Sequence, residues 1–179
     1  MKIVNIFAYK LFAFHYKGEE DNEYDRLLDL WTNTEYVREF LITNKADIPK
    51  DKTKRQFVEY IREDALYIDK QLIMITETKD ESLSHFFQAL DNAEYQFKIL
   101  SLQKGRRHYL RLYAIKIDED TFIITGGAIK LPLQHLMKDR EHTLLELKKL
   151  KKAKEYLKEN EVFDEDSFYE FLNENQNDK

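Results

Sequence analysis

The residues of this chain whose types and spacing can do chemistry lie between Arg107 and Lys130. On a strand, side chains two apart share a face. Arg107, Tyr109, Arg111 and Tyr113 are therefore expected to point one way, and His108, Leu110, Leu112 and Ala114 the other. The second set reads as core and the first as a row of cations and phenols. Lys130 closes the next apolar stretch, just after Gly126-Gly127, where missing side chains let a ligand or another segment approach the backbone. The same glycine pair fits a bulge that bends a sheet. Arg, Lys and a His or Tyr suffice to cut RNA, because the substrate's own 2′-hydroxyl is the nucleophile. The protein then has to stabilise charge on the phosphorane, accept the 2′ proton and protonate the leaving 5′-oxygen. Arg111 suits the first task, since its planar guanidinium matches phosphate oxygens. Lys130, crowded by other cations, can serve as base, and His135 or His142 can supply the acid. A lone histidine is more often structural, and the Arg–Tyr face equally fits the solvent side of an antiparallel sheet.

Charge singles out the same region. The formal net charge is −5, yet from Lys98 to Lys158 15 Lys or Arg stand against 7 Asp or Glu. That is a basic excess of eight, set in a remainder with an acidic excess of thirteen. A basic region in an acidic protein points to an anionic partner, nucleic acid being the commonest. The run Lys148, Lys149, Lys151, Lys152, Lys154 and Lys158 also reads as the solvated face of a helix. At the other extreme, Glu159 to Asp178 carries eight carboxylates and no Lys or Arg. Two readings of that end stay open: a tail that masks the basic surface, or a helix packed on the core with its acids in water.

The elements that must position these residues follow from periodicity. Lys2 to Tyr16 reads as one strand or two short ones, and Asn22 or Asp21 can cap a helix carrying Tyr24, Leu27, Leu28 and Trp31. Asn33 or Thr34 restarts it for Tyr36, Val37, Phe40 and Leu41. A helix from about 52 to 75 follows, with Phe57, Ile61, Ala65, Ile68 and Leu72 as its apolar stripe. Phe86, Phe87 and Leu90 plug the end of the sheet from a connector. The spacing then predicts three strands, Phe97–Gln103, Arg107–Ile117 and Thr121–Ile129, joined by turns at Lys104-Gly105-Arg106 and Asp118-Glu119-Asp120. A helix with Leu144, Leu147, Leu150, Ala153 and Leu157 and a short one with Phe168, Phe171 and Leu172 complete an α+β protein built on an antiparallel meander. At 179 residues one domain over 1–179 is expected.

Several site types lack their residues. There is no cysteine, which removes disulfides, Cys-type zinc sites and a thiol nucleophile and fits a reducing compartment. No Gly-rich phosphate loop is present, and His15, His85, His108, His135 and His142 have no metal-ligand spacing. No cofactor is expected. The start, Met1 to Phe7, lacks the pattern of a signal peptide, and charges interrupt every apolar run before membrane-spanning length. A cytoplasmic protein with no membrane partner is expected.

The run Tyr109-Leu110-Arg111-Leu112-Tyr113-Ala114-Ile115-Lys116-Ile117, an acidic turn, and Thr121-Phe122-Ile123-Ile124-Thr125-Gly126-Gly127-Ala128-Ile129-Lys130 resembles the central hairpin of the RelE/HigB branch of toxins, in the RelE/ParE superfamily. Phe57 to Leu72 resembles their helix before the sheet, and Phe86 to Leu90 their Phe-x-x-Leu connector. The resemblance covers roughly residues 55 to 150, so a RelE-like core over about 55–158 is flanked by an N-terminal extension and an acidic end, 159–179. It implies a small α+β fold, metal-independent endoribonuclease activity on messenger RNA, often at the ribosome, and a cognate antitoxin. Arg111 matches the phosphate-contacting arginine of the central strand and Lys130 the lysine at the following strand end. Lys104, Arg106 and Arg107 match as basic residues near the preceding turn, with Tyr109 and Tyr113 beside them as RNA contacts. His135, Arg140 and His142 stand by proximity where many members carry a C-terminal Tyr or His. The alternative expectation is a non-catalytic module that holds an acidic protein or a nucleic acid on the same basic sheet.

Overall fold

The computed structural model describes residues 1–90, 100–136 and 139–177. The chain is α+β: among the described residues, five α-helices cover the two faces of a six-stranded sheet. The N-terminal segment forms two strands, β1 (Lys2–Phe7) and β2 (Leu11–His15). Helix α1 (Glu23–Thr32) starts at Asn22, whose side chain accepts from the Tyr24 and Asp25 amides, and α2 (Thr34–Thr43) starts at Asn33 in the same manner. These caps satisfy amides that the first helical turn leaves without partners. Helix α3 (Lys54–Glu77) opens on a reciprocal capping box between Thr53 and Gln56. The connector after it carries a short strand, β3 (Phe87–Ala89). Strands β4 (Ser101–Arg107), β5 (Leu110–Lys116) and β6 (Phe122–Ile129) form the expected meander. Helices α4 (Glu141–Glu159) and α5 (Glu165–Asn177) follow.

Strand order is β1-β2-β6-β5-β4-β3, antiparallel throughout except that β2 runs parallel to β6. Two cores result, one on each face. On one, Leu110, Leu112 and Ala114 of β5 meet Leu27 and Trp31 of α1, Val37 and Leu41 of α2, and the α3 stripe Phe57, Ile61, Ala65, Ile68 and Leu72. On the other, Tyr113 and Ile115 meet Leu150, Ala153 and Leu157 of α4 and Phe168 of α5. The glycine pair sits between them. Register slips between Tyr113 and Ala114 against β6, so Thr125 has no partner and a bulge bends the strand. A Cβ on Gly127 would lie 2.7 Å from the Arg111 carbonyl oxygen and 2.9 Å from both Leu27 and Trp31. Gly127 therefore lets α1 lie directly on the sheet.

One boundary differs from expectation with consequences for the site. Lys104-Gly105-Arg106 is not a turn; it lies inside β4, where the Phe86 ring covers Gly105. The turn is His108-Tyr109, with Arg107 paired to Leu110. The expected start of this strand, Phe97 to Lys98, lies outside the described residues, as does Lys138. The acidic end folds as the packed helix α5. Phe168 of α5 packs on Phe12, and Tyr169 donates to the Tyr9 carbonyl, near the Asp118–Thr121 turn and at the opposite end of β6 from Lys130. Of the two readings of that segment, the packed helix is the one seen.

Candidate functional site

The β4–β6 ladder fixes which side chains share a surface. Arg106 of β4 lies opposite Arg111 of β5, which lies opposite Ala128 of β6; one pair further in, Lys104 faces Tyr113, which faces Gly126. Side chains of paired residues point to the same face, here the one carrying α4. Lys130 continues the alternation Gly126, Ala128, and its amide donates to the Tyr109 carbonyl at 2.7 Å. Lys104, Arg106, Arg111 and Lys130 thus gather at the β4–β5 end of the sheet, beside Ala128. Burial pulls the Lys130 ammonium below the usual lysine range and the Arg111 charge adds to it. Lys104 is lowered by burial and then by Arg111, Lys130 and Arg106, and Arg111 by burial with Arg106 contributing. Each of the four is in the field of at least one of the others.

None of these four cations makes an ion pair with a carboxylate among the described residues. Several other cations are paired with buried carboxylates. Arg26 and Lys149 share buried Glu23 at 2.9 and 2.6 Å, Arg107 meets buried Asp64 at 3.2 Å, and Arg140 pairs with buried Asp47. A cluster of like charges without counter-ions opposes folding and suits an anion. The positions of the cations are held by backbone contacts instead. Arg111 Nη1 donates to the carbonyls of His108 at 2.5 Å and Leu110 at 2.9 Å, and Lys130 Nζ donates to that of His135 at 2.5 Å.

Other residues expected at the site fall elsewhere, because the turn at His108-Tyr109 interrupts the alternation on which the expectation rested. Arg107 points to the opposite face, onto Asp64 and over the Tyr67 ring at 3.9 Å. Tyr109 packs on Phe57 with ring centroids 5.0 Å apart. Tyr113 is on the cationic face but fully buried, its hydroxyl without a hydrogen-bond partner; burial raises its pKa. Arg140 is spent on Asp47, tying the start of α4 to the turn after α2. His142 Nε2 donates to the Ile129 carbonyl, 3.0 Å away, and the ring stacks edgewise on Phe40. His135 is exposed and contributes its carbonyl to Lys130. Lys148, Lys151, Lys152 and Lys158 form the exposed face of α4.

Beneath α4 lies a second polar group. Glu146 accepts from the Gly127 amide, while its Oε2 is buried without a partner. The absent Cβ of Gly126 makes room for that carboxylate. Tyr16 donates to the Thr125 carbonyl at 2.9 Å and lies under the Lys149 ammonium at 4.5 Å. Burial, first, and Glu23 raise the Glu146 pKa, against the opposing pull of Lys149 and Arg26. A carboxyl whose folded pKa exceeds its unfolded value binds more protons when folded, so it removes stability as pH rises through the interval between the two. Glu146→Gln is expected to raise the thermal midpoint at pH 7 relative to wild type and to leave it unchanged well below the usual carboxyl range. An equal shift at both pH values would contradict the assignment.

Neither protein-family models, nor curated proteins, nor solved structures give a match to this chain. No helix among the described residues is long and apolar enough to cross a membrane. On the opposite face, with Arg107, lie two polar residues that the sequence reading did not single out as functional: His108, expected on the core side, and Asp64. His108 Nδ1 lies 2.8 and 3.0 Å from the two Asp64 oxygens, with its ring exposed. The available signal was a lone carboxylate on the apolar stripe of α3, between Ile61 and Ala65.

Proposed function

We propose that this chain is a RelE-like toxin of a toxin–antitoxin pair, an endoribonuclease that cuts messenger RNA without a metal, in the cytoplasm and with an antitoxin covering its cationic surface. One observation carries the reading: Lys104, Arg106, Arg111 and Lys130 gather on one face with no salt bridge to a carboxylate among the described residues, Asp139 alone opposing the lowering at Lys130. A phosphodiester flanked by Arg111 and Lys130 would find both charge stabilisation and, at a lysine with a depressed pKa, a proton acceptor. The residue resemblance between 55 and 150 is the second support. Binding of an acidic protein or a nucleic acid without catalysis is the rival reading. It is favoured by His142, whose ring nitrogen is engaged by the Ile129 carbonyl and not directed at the cations.

The experiment is induction of the chain alone in a bacterial host. Growth arrest with shortened messenger RNAs is expected for the wild type and not for Arg111→Ala; normal growth with intact transcripts at high soluble expression would count against the toxin reading. Binding alone has its own signature. With four cations on phosphates, the affinity for a single-stranded RNA should fall with salt at a log–log slope of about −3, each contact contributing roughly −0.7. A slope near zero in a filter-binding titration would remove the electrostatic interface altogether.

A further inference from the structure

The cationic cluster borders a cavity that RNA cutting by itself leaves unused. The pairing of β3 with β4 stops at Gly105, so no described strand covers the outer edge of β4 at Arg106 and Arg107. Those two side chains leave the edge toward opposite faces of the sheet. Both line one cavity of about 620 Å³, together with Lys104, with Tyr67 of α3 and with Glu81 from the connector after α3. Tyr67 is 43% exposed. The Arg107 guanidinium lies over its ring at 3.9 Å and is anchored behind by Asp64 at 3.2 Å. Phenol and guanidinium thus form a fixed stack, the kind of surface on which an unpaired base lies. Glu81 is the contrasting group. Its carboxylate has no ion-pair partner among the described residues, although the other permanent charges lining the cavity are Lys104, Arg106 and Arg107. A carboxylate in that place repels a phosphate and accepts from an N–H group.

We propose that this cavity is the base subsite of the RNA site, and that it takes an unpaired base carrying an amino group in preference to uracil. The assignment rests on the reading of the cationic face as an RNA site and adds its specificity. Lys104 and Arg106 belong to both places. Each lines the cavity, and Lys104 stands in the field of Arg111, Lys130 and Arg106. A phosphate held by the cluster therefore leaves its nucleoside at the cavity mouth, where the Tyr67–Arg107 stack receives the ring. The stack does not tell one base from another, because every base has a π-face. Glu81 does. Adenine, cytosine and guanine each present an exocyclic amino group, a donor that a carboxylate accepts. Uracil presents carbonyl oxygens there, and these meet the carboxylate acceptor against acceptor.

The test uses the full chain and 2′-O-methyl oligonucleotides of about eight residues, all-cytidine and all-uridine, which have no free 2′-hydroxyl and bind without being cut. The two bases share a ring size and differ at the amino group. Wild type should bind the cytidine ligand about tenfold more tightly, the range for a hydrogen bond to a charged group. Glu81→Gln should bring the two affinities within about twofold of each other, because its amide donates to a carbonyl as readily as it accepts from an amino group. Tyr67→Ala should weaken both ligands by roughly tenfold, the worth of one stacked base. Cytidine 5′-monophosphate should compete only at concentrations about 10²-fold above the oligonucleotide, since it brings a single phosphate to the cluster. Equal competition would make the cavity a site for free nucleotides and overturn its assignment to RNA. Equal affinities in the wild type, or a cytidine preference that survives Glu81→Gln, overturn the base subsite even where ordinary RNA is still cut. A preference that Glu81→Gln erases, in a protein that cuts no RNA, supports the subsite and overturns the cutting reading alone.

Discussion

Replacing Arg111 with alanine is expected to slow RNA cleavage by about 10³-fold, the upper part of the range for removing a preorganised group that meets developing charge. The expectation follows from where the ladder puts it. Arg111 stands between Arg106 and Ala128, its guanidinium pinned by two backbone carbonyls, so little reorganisation is needed when a phosphate arrives. Lys130→Ala should lose a similar factor, through both charge and proton acceptance. Folding should change by no more than about 1 kcal/mol in either case, because half-buried side chains without ion-pair partners contribute little and relieve repulsion when removed. Rates from single-turnover cleavage and midpoints from thermal unfolding measure both effects. A variant that unfolds marks its residue as structural.

The second large effect is on stability. Gly127→Ala is expected to destabilise the fold by ~3 kcal/mol, the cost of forcing a methyl group into a packed interface. Its Cβ would meet the Arg111 carbonyl oxygen at 2.7 Å, which is backbone in the adjacent strand, and Trp31 and Leu27 at 2.9 Å. The carbonyl is fixed by the sheet, and Leu27 and Trp31 are buried against it, so relief requires α1 or β6 to give way. Gly126→Ala is the comparison. Its Cβ meets the end of the Glu146 side chain, which can turn toward solvent, so a loss of about 1 kcal/mol is expected from strand geometry and the displaced carboxylate. Denaturant midpoints for the two variants measure the difference. Equal losses would mean that α1 is not what demands the glycine pair.

The strands and helices were legible where apolar residues recur with one period. The α3 stripe from Phe57 to Leu72, the Asn22 and Asn33 caps, and β6 from Phe122 to Ile129 follow directly from spacing. The turn between β4 and β5 was not, because its chemistry contradicts its geometry. Lys104-Gly105-Arg106 has the composition of a turn, yet Gly105 is there to admit the Phe86 ring. His108, with a side chain that resists a positive φ, makes the turn instead. That two-residue displacement moved Arg107 and Tyr109 to the opposite face from Arg111 and brought Arg106 beside it. The parallel pairing of β2 with β6 was also invisible, since it joins segments about a hundred residues apart. Arg111 and Lys130 stood out by type and position, and Lys104 and Arg106, which the resemblance offered only as basic residues near the preceding turn, share their face. Asp64 was hidden because a carboxylate on a buried stripe shows its purpose only when its partners, from a distant strand end, are in place.

The most direct test of this account is cleavage of a single-stranded RNA by the purified chain in excess chelator, with product ends identified by mass. The account predicts 2′,3′-cyclic phosphate and 5′-hydroxyl ends, no cleavage where the 2′-hydroxyl is replaced by hydrogen, and near-complete loss of both products in Arg111→Ala. RNA that stays intact, or cleavage that persists without the 2′-hydroxyl or without Arg111, would contradict it.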